Sequence, residues 1–198
     1  MLEDSMALEN IQLDAEDVVL LILEANERLL RKPSLNGITR LEKLLFLLER
    51  ETHFEGIGAF FAFEPHNFGP FSKEVYEAID FLDACELISV REKSYSSPYS
   101  SADERKLLSE ISENDVTEDP TEPRLEVKER QFLLTENGRK VAQILREGIQ
   151  RRKPSDVSEL DSIVRKYGTA PLNQLIRYVY RQHPDMTVNS IHPEAQKL

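Results

Sequence analysis

Four histidines and one cysteine are the side chains of this chain best suited to ligate a metal, attack a carbon centre or carry a proton. Their spacing favours none of these tasks. His53, His66, His183 and His192 are scattered, and none shares a helical face with another histidine or with Cys85, so metal-ligand spacing is missing. Cys85 sits between Ala84 and Leu87 in an apolar pattern and reads as a small buried core residue. A single cysteine forms no internal disulfide and fits a reducing compartment such as the cytoplasm. Gly56-x-Gly58 has Phe61 where a third glycine would be needed, and no Gly-Lys-Ser follows, so no phosphate cradle is visible. There is no Gly-x-Ser-x-Gly elbow and no Cys-His arrangement, and no carboxylate pair stands where its pKa would be predictably perturbed. The expectation is a protein that is not an enzyme, with no catalytic residues, metal or cofactor.

Binding chemistry has two candidate locations. The first is Pro65-His66-Asn67-Phe68-Gly69-Pro70-Phe71, whose prolines and glycine predict a loop without regular structure. His66, Asn67, Phe68 and Phe71, with Lys73 and Tyr76 just beyond, are the candidate protein-contact residues. Gly69-Pro70 itself reads as a turn that aims the next helix.

The second location comes from charge. The net charge of -11 is concentrated in residues 1–17, with six acids and no Lys or Arg, and in residues 103–126, with nine acids against Arg105, Lys106 and Arg124. The remainder is close to neutral, and within it residues 139–181 carry ten basic residues against four acids. Arg139, Lys140, Arg151, Arg152, Lys153, Arg165 and Lys166 are therefore the candidate nucleic-acid contacts. Arg151-Arg152-Lys153, lying before Pro154, also reads as a solvated linker.

These residues need elements to hold them. Apolar positions 18, 19, 22, 23, 29 and 30 predict a helix from about Asp17 to Arg31, stopped by Pro33. Thr39-Arg40-Leu41-Glu42 has the form of a capping box opening a second helix, with Leu41, Leu44, Leu45 and Leu48 inward, to about Glu51. Residues 58–64 read as a strand or tight hairpin. Ser72 can cap a third helix, with Val75, Tyr76, Ile79 and Leu82 inward, to about Leu87. Ile88–Arg91 and Lys128–Leu134 read as strands, separated by a Ser-, Pro- and acid-rich stretch, 93–126, read as a long disordered loop. Thr135 to Gly138 open a helix bearing Val141, Ile144 and Leu145. Two more helices follow, from about Ser155 or Asp156 to Tyr167 with Gly168 as C-cap, and from about Thr169 with Pro171 in its first turn to His183-Pro184.

At 198 residues one core is expected. The organisation is an acidic flexible N-terminus (1–16), a single domain (17–191) and a short tail (192–198). The longest apolar run, Val18 to Leu23, is far short of the roughly 20 residues of a membrane span, so no membrane partner is expected. The fold class is mainly α with a small β wing, an extended winged-helix-like single domain. Phe132-Leu133-Leu134-Thr135-Glu136-Asn137-Gly138-Arg139 resembles the strand-to-helix junction after the wing of winged-helix regulators. The helix from Ser72 then takes the recognition-helix position. There it carries Glu74, Glu77, Asp80, Asp83 and Glu86 against Lys73 alone, which repels phosphate.

A longer resemblance rests on Gly37 to Leu48, on Phe68-Gly69-Pro70-Phe71-Ser72 with Val75-Tyr76, and on Tyr167-Gly168 through Leu175 and Tyr178-Val179-Tyr180 to His183-Pro184. Over most of residues 17–191 the chain resembles YwgA-like proteins and the related SocA-type (Panacea) antitoxin domain. The resemblance implies a helical domain acting by protein contact, in the antitoxin case by neutralising a toxin or delivering it to a protease. The expected function is a non-enzymatic, antitoxin- or adaptor-like protein-binding module in a toxin–antitoxin or phage-defence setting. The alternative is a winged-helix DNA-binding regulator using the basic C-terminal helices. A protein partner is expected, with nucleic acid and self-association left open.

Overall fold

The computed structural model describes residues 13–54, 60–97 and 125–190, with side chains for all of these except 94–97 and 125–128. The chain is mainly helical with a small antiparallel sheet. In chain order the elements are α1 (Ala15–Leu30), β1 (Ser34–Asn36), α2 (Ile38–Glu51), β2 (Glu64–His66), β3 (Gly69–Phe71), α3 (Lys73–Ala84), β4 (Ile88–Ser97), β5 (Leu125–Leu134), α4 (Glu136–Arg152), α5 (Pro154–Tyr167) and α6 (Leu172–Gln182), with a 3-10 turn at Pro184–Thr187.

The apolar run Val18–Leu23 is buried at every position. A helical run apolar on every side must be covered all round, and α1 touches α3, α4, α5 and the sheet. It is opened by a reciprocal pair in which Asp17 N–H donates to Asp14 Oδ1 (3.0 Å) and Asp14 N–H to Asp17 Oδ2 (3.2 Å). Burial raises the Asp17 pKa from 3.8 to about 6, against the hydrogen bond from the Asp14 backbone. A raised carboxylate pKa makes folding bind a proton, so this group's contribution to stability falls as pH climbs from 3.8 to about 6. Discounted for its half exposure, that change is about 1 kcal/mol. Urea melts at pH 4 and pH 6 should show this loss in the parent chain and not in Asp17→Asn; equal losses in both would reject the assignment.

Strand order in the larger sheet is β1-β5-β4, all antiparallel. The ladder runs from Ile88↔Leu134 to Ser97↔Leu125, so both ends of the 93–126 stretch are strand, not loop. Pairing with the opposite strand decides this, whatever the composition. Residues 98–124, the rest of that acidic stretch, lie outside the described residues, as do 1–12, 55–59 and 191–198. β1 is an addition to the sequence reading. The buried Asn26 side chain donates to the carbonyls of Lys32 (3.0 Å) and Ser34 (3.2 Å), fixing the turn that leads into it.

Several sequence expectations are corrected. α2 has Gly37, at φ +84, in the N-cap position and no side-chain cap; Thr39 is buried inside the helix and Glu42 points elsewhere. Residues 61–63 are irregular, and the segment expected to be a loop, 65–71, contains the hairpin β2-β3. Ser72 is at the α3 N-cap position, yet its hydroxyl donates to Glu74 Oε2 (2.8 Å), and α3 ends at Ala84. Cys85, expected in the core, is exposed because the helix ends just before it and the chain turns outward. Ile144 is 60% exposed, while Ala142, Gly148 and Ile149 supply the buried face of α4. Gly168 closes α5 in a right-handed conformation, so its glycine is required for space, a Cβ there falling 2.6 Å from Leu30 Cδ1.

Candidate interaction site at the Pro65–Phe71 hairpin

β2 and β3 pair Glu64 with Phe71, Pro65 with Pro70 and His66 with Gly69, around a turn at Asn67-Phe68. Pro65 and Pro70 face each other at the pair whose main-chain groups point out of the ladder, where a missing N–H costs no strand bond, and their outward carbonyls give this short hairpin its outside support. One support is Lys43, 1% exposed, whose Nζ donates to the Pro70 carbonyl at 2.7 Å. The second is the chain after α6. Ser190 Oγ donates to the Asn67 carbonyl (2.9 Å), Asn189 Nδ2 donates to the Pro65 carbonyl (3.0 Å), and the buried Tyr180 hydroxyl bonds Ser190 Oγ at 2.6 Å. Gly69 packs against the Tyr180 ring, where a Cβ would come to 2.7 Å of Cε1, and holds φ +90. Glycine satisfies both demands.

Under the hairpin lies a buried ion pair, Lys43 Nζ to Glu42 Oε2 at 3.8 Å. The other Glu42 oxygen accepts the Ser72 N–H at 3.4 Å, tying the start of α3 to α2. Burial pushes the Lys43 pKa below its ordinary value, and the neighbouring Glu42 opposes this. Between pair and hairpin is a cavity of about 150 Å³ lined by Ile38, Thr39, Glu42, Lys43, the residues from His66 to Phe71, and Tyr76. That is room for one side chain. His66, Phe71 and Tyr76 form a row of rings at its edge, with centroids 4.9 Å and 5.5 Å apart.

Five of the six expected protein-contact residues, His66, Asn67, Phe68, Phe71 and Tyr76, therefore line one cavity. Lys73 is not among them and pairs with Glu77 on the exposed side of α3. Thr39, Glu42 and Lys43 were not expected. Their signal is two adjacent charges, Glu42 and Lys43, in a helix buried at every position from Leu41 to Leu48, where a charge needs a specific partner.

The basic candidates are dispersed. Arg139 pairs with Glu27 (2.8 Å), Lys140 with Glu136 (2.9 Å), Arg151 with Glu147 (3.7 Å) and Lys153 with Asp156 (3.1 Å). Arg151 and Arg152 form the last turn of α4 and are not a linker. Lys166 lies over the Tyr167 ring (4.7 Å) and the Tyr178 ring (5.3 Å), and Arg152 and Arg165 are exposed. Both tyrosine hydroxyls donate to Glu51 Oε2, at 3.2 Å and 3.1 Å, and His183 Nε2 lies 3.4 Å from Oε1, so this cluster fastens α5 and α6 to α2. α3 presents Glu77, Asp80 and Asp83 to solvent beside Phe81, which is 55% exposed, and exposed Glu86 follows in the turn after it.

Among the described residues no group of three or more His, Cys, Asp or Glu could hold a metal ion, and no helix is long and apolar enough to cross a membrane. Comparison with family models, with curated proteins and with solved structures finds no match to this chain.

Proposed function

We propose that this chain is a non-enzymatic, cytoplasmic protein-binding module of winged-helix-like build, antitoxin- or adaptor-like, which holds its partner at the Pro65–Phe71 hairpin. The observation that carries this reading is the row of rings His66, Phe71 and Tyr76 lining a cavity the size of one side chain, where a hairpin pinned from both sides meets the start of α3. A preorganised aromatic edge beside a small pocket is the arrangement in which a partner's anchor residue contributes most to affinity. The winged-helix part of the reading is supported by the order α1-β1-α2-α3-β4-β5, with the β2-β3 hairpin inserted between α2 and α3 and β1 set against β5, and by the helical C-terminal extension. The resemblance to SocA-type antitoxin domains supports a toxin or another defence protein as the partner class.

DNA binding fits less well, because α3 turns carboxylates outward and four of the seven candidate cations already face carboxylates. Affinity capture of the tagged chain from its host, with nuclease treatment, tests the choice. The expected result is a nuclease-resistant protein partner whose recovery drops about tenfold or more in Phe68→Ala/Phe71→Ala, with unchanged far-UV circular dichroism. Undiminished recovery in that folded variant rejects the site, and a partner released by nuclease rejects the class.

A further inference from the structure

We infer that the hairpin cavity takes an arginine side chain of a basic partner protein, the guanidinium stacking on the His66–Phe71–Tyr76 row as it approaches Glu42. This rests on the reading of the hairpin as a protein-contact site and names the chemistry of what enters it.

Three observations converge. The cavity, at about 150 Å³, admits one long side chain and not a folded element. The rings of His66, Phe71 and Tyr76 stand side by side in its lining, together with the Glu42 carboxylate and Thr39. Planar, weakly hydrated guanidinium is the cation that both stacks on rings and pairs with a carboxylate. The surroundings carry the matching sign. Glu64 stands opposite Phe71 in the hairpin register, and Glu74, Glu77 and Asp80 follow on α3. Hydrogen bonds from its own amide and from the Ser72 hydroxyl hold the Glu74 pKa below the ordinary carboxylate value, so its charge persists at neutral pH. The cation already in the cavity wall, Lys43, has its ammonium turned to the Pro70 carbonyl at 2.7 Å and is withdrawn from solvent. Among the described residues lining the cavity Lys43 is the one Lys or Arg, and Lys73 at the start of α3 is engaged by Glu77, so an acidic ligand would chiefly face carboxylates.

Fluorescence anisotropy of the full chain with a labelled arginine-glycine repeat peptide tests this, against the same peptide with arginine replaced by citrulline or by glutamate. The arginine peptide should bind at least about tenfold more tightly than the citrulline peptide, which keeps shape and loses charge. Phe71→Leu and Tyr76→Leu, which keep apolar bulk and remove the rings, should each weaken it about threefold to tenfold. Glu77→Gln/Asp80→Asn should chiefly flatten its salt dependence. Equal binding of the citrulline or glutamate peptide, or full affinity in both leucine variants, overturns the inference. If no peptide binds while Phe68→Ala/Phe71→Ala still loses the captured partner, the arginine inference falls and the module stands; if capture is also unaffected, both fall.

Discussion

Gly138→Ala should cost about 3 kcal/mol or more, and leave much of the chain unfolded if its stability is that of an ordinary small domain. An added Cβ would stand 1.9 Å from the Leu87 carbonyl oxygen and 2.9 Å from the Leu87 carbonyl carbon. Both are main-chain atoms, so no side-chain rotation relieves the clash. The oxygen is also held in place, accepting the Thr135 N–H at 3.0 Å and the Thr135 hydroxyl at 3.1 Å. The same hydroxyl accepts the Gly138 N–H at 3.0 Å, so the start of α4 and the turn between α3 and β4 are one joint. Its other half is Glu86, a non-glycine residue at φ +56. Urea denaturation of Gly138→Ala beside the exposed neighbour Asn137→Ala, expected within about 0.5 kcal/mol of the parent, measures the effect. Similar midpoints for the two variants would show that α4 can slide away from Leu87.

Lys43→Met should be nearly as damaging, at about 3 to 5 kcal/mol, because it strands the Glu42 carboxylate in the interior. The double variant Glu42→Gln/Lys43→Met should recover a substantial part of that loss, since neutral side chains of similar volume leave no buried charge behind. Full recovery is not expected, because the Pro70 carbonyl loses its Nζ donor. The pH dependence has a definite sign. The folded chain releases the Lys43 proton at a lower pH than the unfolded chain, whose lysine titrates near 10.5. Below the folded value both states are charged and the burial penalty is fully present. As pH rises from the folded value towards 10.5 only the unfolded state keeps the proton, and the penalty is relieved. The parent should therefore gain on the double variant as pH increases; a difference independent of pH would mean that Lys43 titrates normally.

What could be read from the chain alone followed local chemistry. The leucines of α2 and the apolar faces of α1, α3, α5 and α6 set helix positions to within a few residues, because a 3.6-residue period is local information. The helix start at Thr135 to Gly138 was readable for the same reason, and there the Thr135 hydroxyl accepts the Gly138 N–H. β1 was not readable: three residues of unremarkable composition become a strand because Leu35 meets Phe132, almost a hundred positions away. The Thr39 box failed although its residues match the motif, because Thr39 and Glu42 are buried where α2 meets the hairpin and α3. Two prolines and a glycine suggested a loop at 65–71, and the hairpin exists through bonds from Lys43, Asn189 and Ser190 that no local rule contains. The site was half legible on the same terms. Its aromatic edge stands together in sequence, whereas its charged floor belongs to another helix.

The outer edge of β4 has a guard. The Val90 amide, which the ladder leaves facing away from β5, is taken by the Asp83 carboxylate at 3.2 Å, and exposed Arg91, Glu92 and Lys93 follow it. An unprotected strand of this length invites another chain to lengthen the sheet, and charges together with an occupied N–H are how such growth is discouraged. The β4 flank from Val90 to Lys93 is thus guarded against pairing with another chain.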